Sequence, residues 1–109
     1  MNKRDLGLWL ESLGFVPEYP FTGRSGKRRF RFDWAYVEKR WWGDSQPLQV
    51  AVEYDGSGVG HQSIRGTWTD QEKSNEAILC GWRLIRCNPM TTRTGKCQEW
   101  IEAALGISS

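Results

Sequence analysis

Three carboxylates in two apolar segments of the chain have a spacing that could hold a divalent metal ion. Asp33 interrupts the aromatic segment RRFRFDWAY, and Glu53 and Asp55 stand close together in VAVEYDG. Read as β-strands, these segments place Glu53 and Asp55 on one face, roughly 7 Å apart, because side chains alternate along a strand. Carboxylate oxygens are the protein ligands that Mg²⁺ prefers. The pattern therefore predicts a metal site formed by Asp33, Glu53 and Asp55.

Each acid also has a plainer explanation. Asp33 could form an ion pair with Arg29 or Arg31 on its own face, and Glu53 and Asp55 could simply end a strand. The convergence of three acids, two of them in an otherwise apolar run, favours a site. The same alternation predicts that the aromatic residues of the first strand share the face opposite the acid: Phe30, Phe32, Trp34 and Tyr36.

A local basic segment, RSGKRRFR at residues 24–31, precedes the first acid. It holds five of the 15 Lys and Arg residues of a chain whose net charge is only +2. Such a patch is typical of a polyanion partner, although it could also be a solvated strand edge that discourages aggregation. Beside the acids, it favours contacts with the phosphates of a polyanion, such as a nucleic acid, that depend on charge and not on base sequence. The residues expected to make these contacts are Arg24, Lys27, Arg28 and Arg29.

Two adjacent tryptophans, Trp41 and Trp42, fall in a predicted turn between two strands. They follow two basic residues, and they could stack on bases or wedge between them. Packing back onto the sheet or forming a dimer contact are equally good explanations of their position. The pair is therefore a candidate base contact with two alternatives.

A glycine-rich loop from Gly56 contains His61, the only histidine of the chain. A neutral imidazole there could accept a proton or position a water near pH 7, whereas a surface histidine without a role is the alternative. Arg65, near the end of the loop, could bind phosphate or cap the loop.

Periodicity and breaker residues predict the elements that must position these side chains. Gly14 is expected to end the first helix, and a capping box formed by Thr69 and Glu72 is expected to start another. The helix between the second and third strands suits a crossover between parallel strands. The prediction is one α/β domain, residues 1–109, with a mixed central sheet flanked by helices in the order α-β-β-α-β-α. Its elements are a helix over 3–13, a loop over 15–27, strands over 27–36 and 48–55, a helix from Thr69, a strand over 82–87 and a helix over 94–105.

The order of these segments resembles the PD-(D/E)XK nuclease superfamily. Within it, the likeness is to small phage and bacterial endonuclease-like domains related to very-short-patch repair endonucleases. The resemblance covers roughly residues 27–90 and implies a restriction-endonuclease-like core that hydrolyses DNA with Mg²⁺, for which Mn²⁺ substitutes. Branched, mismatched or otherwise structured DNA would be the substrate. The matching pieces are RFDWAY, VAVEYDG, the loop with His61 and Arg65, DQEKSNEA and GWRLIRC.

The resemblance implies that Asp33 and Glu53 are the two motif acids. The lysine usual two positions after the second acid is absent, because Asp55 stands there. Relatives without it can take a basic residue from the following helix, which makes Lys73 the candidate, and a His from the loop makes His61 another. The plainer explanation for Lys73 is an exposed ion pair with Asp70 in the same helix.

The missing motif lysine leaves two further interpretations open. The first is a nuclease fold that has lost catalysis and binds nucleic acid, and the second is a protein-interaction domain anchored by tryptophans. Cutting both strands of a duplex would require a homodimer, because one small domain provides one active site.

The cysteines Cys80, Cys87 and Cys97 are odd in number and lack the spacing of a disulfide framework. They predict free thiols in a reducing cytoplasm, that of the host if the chain is phage-encoded. The absence of a C-x-x-C pair favours small buried thiols over a zinc site completed by His61. No apolar run approaches the roughly 20 residues of a membrane span, so no membrane partner is expected.

Overall fold

The computed structural model of the chain describes residues 1–38, 47–56 and 64–107. Within these ranges no helix has the length and apolar character that crossing a membrane requires. The elements in chain order are α1 (Lys3–Ser12), β1 (Val16–Thr22), β2 (Arg29–Glu38), β3 (Leu48–Tyr54), α2 (Ile64–Leu79), β4 (Arg83–Cys87), α3 (Pro89–Thr94) and α4 (Lys96–Leu105).

The four strands form one mixed sheet in the order β1-β2-β3-β4. β2 is antiparallel to both β1 and β3, whereas β4 is parallel to β3. α2 joins the two parallel strands, as the predicted crossover requires. The predicted class, an α/β fold with a mixed sheet flanked by helices, is confirmed.

The predicted loop over residues 15–27 is wrong in its first half, because it contains β1. Pro17 and Pro20 made this segment resemble a loop, since proline cannot donate a ladder hydrogen bond. β1 is an edge strand with a single neighbour, β2. Proline is tolerated on such an edge, where some backbone N–H groups face away from the sheet.

Two predicted helix boundaries are also wrong. α2 begins at Ile64, so Thr69 lies inside the helix and does not cap it. The capping box lies elsewhere, at Asn88 and Thr91, where it starts α3. Gly95 has a φ of 82° and separates α3 from α4, so the last predicted helix, residues 94–105, begins at Lys96, and the short helix α3 before it was not predicted. By contrast, Gly14 follows α1 with a φ of 103°, as a helix end of this kind requires.

The sheet separates two apolar clusters. The cluster on the α1 and α4 side, named here the α1/α4 core, and the cluster on the α2 side, named the α2 core, bury different faces of the same strands. The fully buried side chains of the first include Leu6, Leu10, Val50, Val52 and Ile101, and the second is built on Phe21, Phe30, Phe32, Ala51, Ala77 and Trp82.

β2 does not keep its four aromatic residues on one face, so that prediction is wrong. Phe30 and Phe32 belong to the α2 core, whereas Trp34 and Tyr36 belong to the α1/α4 core. The change of face occurs at Asp33. There the β1–β2 pairing skips one residue pair, Glu18 and Asp33, and Glu18 has a φ of 51°. The acid thus lies between the two cores.

The prediction of three free thiols is also wrong. Cys87, the last residue of β4, forms a disulfide with Cys97 in the first turn of α4. Their Cα atoms are 5.7 Å apart, and both side chains are buried in the α1/α4 core. Cys80 is the free cysteine of the described chain. Sequence spacing could not reveal this pair because α3 folds back to bring the two residues together.

Candidate active site

Asp33 and Glu53 lie side by side on β2 and β3, and each carboxylate accepts a backbone hydrogen bond from the other strand. The N–H of Asp33 donates to Glu53 Oε2 at 3.3 Å, and the N–H of Tyr54 donates to Asp33 Oδ2 at 2.8 Å. Glu53 is only 6% exposed, and Asp33 is half-buried. Arg31 contacts Glu18 and not Asp33. The structure therefore brings Asp33 and Glu53 together and holds them in place.

Lys73 reaches this pair from α2. Its Nζ forms an ion pair with Glu53 Oε1, and the two side chains are 20% and 9% exposed. Apart from this ion pair, Glu53 Oε1 has no hydrogen-bond partner among the described residues. The ammonium also lies 5.8 Å from the ring centroid of Phe32. The plainer explanation, an exposed pair with Asp70, does not hold, because Asp70 contacts Arg86.

The charge on Lys73 is held in a partly dehydrated setting. Burial lowers its pKa, the carboxylate of Asp33 raises it, and the guanidinium of Arg86 lowers it again. The influence of Asp33 shows that this second acid acts on the ammonium as well. Lys73 therefore stands between the two acids and the apolar floor of the α2 core, where charge interactions are stronger than in water.

Asp55, the third predicted acid, is bound by a different cation. Arg86 donates to Asp55 Oδ1 at 3.1 Å, to Asp70 Oδ1 at 2.9 Å and to Ser74 Oγ at 2.5 Å. Within residues 1–38, 47–56 and 64–107, no three His, Cys, Asp or Glu side chains form a metal-binding group. The candidate ligands that the structure groups are thus two acids, Asp33 and Glu53.

Arg86 is the residue that sequence analysis missed. It pairs in register with Glu53 on the neighbouring parallel strand, and its guanidinium joins the end of β3 to α2. The signal lay in WRLIRC: alternation puts Leu84 and Arg86 on one face, and Leu84 packs in the α2 core. A charged side chain on a covered face needs partners.

Two members of the predicted phosphate-binding segment are engaged in ion pairs with α2. Arg24 Nη2 lies 2.8 Å from Glu76 Oε2, and Arg28 Nε lies 2.8 Å from Glu72 Oε1. Both arginine side chains remain more than half exposed, at 63% and 55%. Their charges are partly neutralised where they stand, although their outer faces stay open to solvent.

The structure describes some of the other residues that were predicted to contact nucleic acid. Lys27 and Arg29 are exposed, on the turn before β2 and at its first residue. Trp41, Trp42 and His61 lie outside the described residues. Arg65 lies in the first turn of α2, and its side chain falls outside the description as well.

The arrangement combines two anchored carboxylates with a half-buried ammonium at the end of β3. Carboxylate oxygens of this kind can hold a hard cation, and the ammonium can polarise an anionic group.

Comparison of the chain with protein-family models, with curated proteins and with solved structures finds no match in any of the three.

Proposed function

We propose that the chain is a metal-dependent endonuclease that hydrolyses phosphodiester bonds of DNA. The supporting observation is the contact of Lys73 with Glu53 beside Asp33. Lys73 would supply, from α2, the positive charge of the lysine that is usual at the position of Asp55 in the nucleases that the chain resembles. Two acids on adjacent strands and a lysine aimed at them are the side chains that such a reaction needs.

Mg²⁺ is the proposed cofactor, with Mn²⁺ as a substitute, and Asp33 and Glu53 are the residues that would hold it. They fit because Glu53 Oε1 is buried and has the ammonium as its one described partner, while each acid has its other oxygen fixed by a backbone N–H. One or two carboxylates suffice for Mg²⁺, which keeps several waters. When bound, the metal would polarise the phosphate and activate a water.

The chain's own residues would orient the substrate and balance its charge. Lys73 would donate to a non-bridging phosphate oxygen and stabilise the negative charge that develops there. Arg86 would hold Asp55 and α2 in position, which keeps Lys73 at the acids. His61 stays a candidate for positioning the attacking water.

The second candidate is a nuclease fold that binds DNA without cutting it. The specific observation in its favour is that two of the acids already have internal cations, Lys73 for Glu53 and Arg86 for Asp55. In such a protein these ion pairs would contribute to stability alone. Adding metal would not change DNA binding and would not cause cleavage.

Incubation with linear, nicked, branched and mismatched DNA in Mg²⁺, Mn²⁺ or EDTA decides between the two. The proposal expects metal-dependent cleavage that Asp33→Asn and Glu53→Gln each reduce by at least about 100-fold. Glu99→Gln is the matched control, because Glu99 is an exposed α4 acid paired with Lys96. Equal cleavage by wild type and Asp33→Asn, or none by wild type, would overturn the proposal. Binding without cleavage would establish the second candidate.

Two further features belong to the proposal. We propose action in the cytoplasm, of the host if the chain is phage-encoded, and there the Cys87–Cys97 pair would meet a reducing environment. We also propose that a double-strand cut would need two copies of the chain. Light scattering with and without DNA would show whether a dimer forms.

A further inference from the structure

A cleft of about 660 Å³ opens between α1 and the β1–β2 pair, on the side of Asp33 that faces away from α2. Its floor is apolar, with Gly7, Pro17 and Trp34, and Asp33 lies in its wall. Lys3 and Arg4 line the same cleft from the first turn of α1. Neither of these two basic residues figured in the sequence-based site.

The direction of α1 places its basic residues at the acid end of the cleft. A Cβ at Gly14 would lie 3.3 Å from the Tyr36 ring, and one at Gly7 would lie 3.0 Å from Trp34. Lys3 Nζ lies 5.8 Å from the ring centroid of Tyr54, whose N–H bonds Asp33. The helix therefore runs in the same direction as β2, and its first turn lies next to Asp33 and Glu53.

The charges along the cleft are not uniform. Glu11 also lines the cleft, but it lies seven positions after Arg4 in the helix, which is about 10 Å along the helix axis. Glu18, on the opposite wall, lies 3.8 Å from Arg31. The basic residues that line the cleft, Lys3 and Arg4, thus lie at the end beside Asp33, far from Glu11.

Lys3 and Arg4 differ from the basic residues that sequence analysis favoured. Arg24, Arg28 and Arg86 each contact a carboxylate, whereas Lys3 and Arg4 are exposed and form no ion pair with any residue that the structure describes. A cation without an acidic partner needs no internal pair to be broken before it binds a phosphate. The free pair is therefore better suited to bind DNA than the paired arginines.

We propose that Lys3 and Arg4 bind backbone phosphates of the DNA strand that enters the site, on the α1 side of Asp33. This inference rests on the proposed function and adds a binding site to it. The strand would pass along the cleft with its sugars or bases over the apolar floor. Its phosphates would meet the basic pair on one side of the acids and Lys73 on the other. These contacts carry charge and no base readout.

Fluorescence anisotropy with a labelled branched DNA, in EDTA so that no cleavage occurs, tests the proposal. We expect Lys3→Ala/Arg4→Ala to weaken binding about tenfold or more and to reduce the salt dependence, d log K/d log [salt], by about 1 to 2. The control, Arg93→Ala/Lys96→Ala, removes the same charge from residues outside the cleft. Both altered residues are exposed, and equal thermal midpoints would show that the variants fold.

Kinetics separate this inference from the function on which it rests. In Mg²⁺, the double variant should raise KM with little change in kcat, because it removes binding that ground and transition states share. If wild type cleaves and the double variant binds and cleaves as well as the control, the inference fails and the function stands. If wild type shows binding that depends on Lys3 and Arg4 but no cleavage, the function fails and the binding site stands. No binding by wild type, or tighter binding of an RNA of the same sequence, overturns the inference.

Discussion

Glu76 on α2 accepts hydrogen bonds from both the backbone N–H and the guanidinium of Arg24. The N–H donates to Oε1 at 2.9 Å, and Nε and Nη2 donate to Oε2 at 3.0 and 2.8 Å. This contact, with Arg28 and Glu72 beside it, ties the turn between β1 and β2 to the helix that carries Lys73. The position of Lys73 thus depends on a turn that is far away in sequence.

The Glu76–Arg24 contact should make stability depend on pH. The side-chain and backbone hydrogen bonds from Arg24 hold the pKa of Glu76 below its ordinary value of 4.5. Its stabilisation is therefore fully present above that value and is lost as pH falls through the lowered pKa. Urea unfolding should show Glu76→Gln less stable than wild type at pH 7, with the difference shrinking toward pH 3. For Glu99→Gln the difference should be small at both pH values, and a Glu76→Gln difference that does not change with pH would contradict this account.

The same contact predicts that Gly23→Ala destabilises the protein. An added Cβ would lie 2.8 Å from Glu76 Oε1, so the carboxylate would have to leave Arg24. We expect a lower free energy of unfolding than wild type, because the shifted carboxylate loses hydrogen bonds from Arg24. Gly26→Ala is the comparison, because no atom lies within 4 Å of its added Cβ, although its φ of 72° brings its own strain. If Glu76→Gln/Gly23→Ala loses the full sum of the single effects, the two positions are not coupled.

Lys73→Met should lower both stability and activity. It would leave the buried carboxylate of Glu53 without its cation, a change that costs about 3 kcal/mol for well-buried pairs. Lys73→Met/Glu53→Gln should recover part of that loss in urea unfolding but no cleavage. Recovery of cleavage in the double variant would contradict the proposed roles of both Lys73 and Glu53 in the reaction.

Asp55→Asn should reduce cleavage less than tenfold, whereas Asp33→Asn should reduce it by at least about 100-fold. The reason is that Asp55 is 58% exposed and bound by Arg86, so its loss removes a surface contact worth less than about 1 kcal/mol. Cleavage rates in Mg²⁺ check this order. Equal losses in both variants would place Asp55 among the metal ligands, as the sequence pattern first indicated.

The Cys87–Cys97 disulfide should raise the free energy of unfolding by about 2–3 kcal/mol, the value expected for a short closed loop. Urea unfolding with and without a reductant measures it. Thiol titration should find one free thiol, Cys80, before reduction and three afterwards. Cys80→Ala should keep the response to the reductant, whereas Cys97→Ala should remove it.

Strand alternation and helix spacing were enough to predict the central part of this fold. The segments around Asp33 and Glu53 are strands on adjacent positions, and the following helix makes the parallel crossover, because these features follow from local pattern. Lys73, the helix lysine that the resemblance pointed to, contacts Glu53. The function of that pair stays a prediction.

Other features could not be predicted because they depend on long-range contacts. The positive φ of Glu18 and the change of face at Asp33 arise where two cores compete for one strand, and no local propensity indicates them. Both Arg24 and Arg86 find their partners on α2. Glu76, the partner of Arg24, is 52 residues away along the chain, and Asp70, a partner of Arg86, is 16 residues away. Charge counting could favour the basic segment, but only the fold shows which cations are already neutralised.

The change of face at Asp33 means that the candidate catalytic carboxylate belongs to neither half of the hydrophobic interior. Phe32, one residue before it, packs with α2, and Trp34, one residue after it, packs with α1. A residue at such a junction can be approached from both sides of the sheet, which a carboxylate in an uninterrupted strand cannot. The irregular backbone at one position of β1 and β2 thus lets Asp33 line the cleft beside α1 while its carboxylate accepts the N–H of Tyr54 next to Glu53.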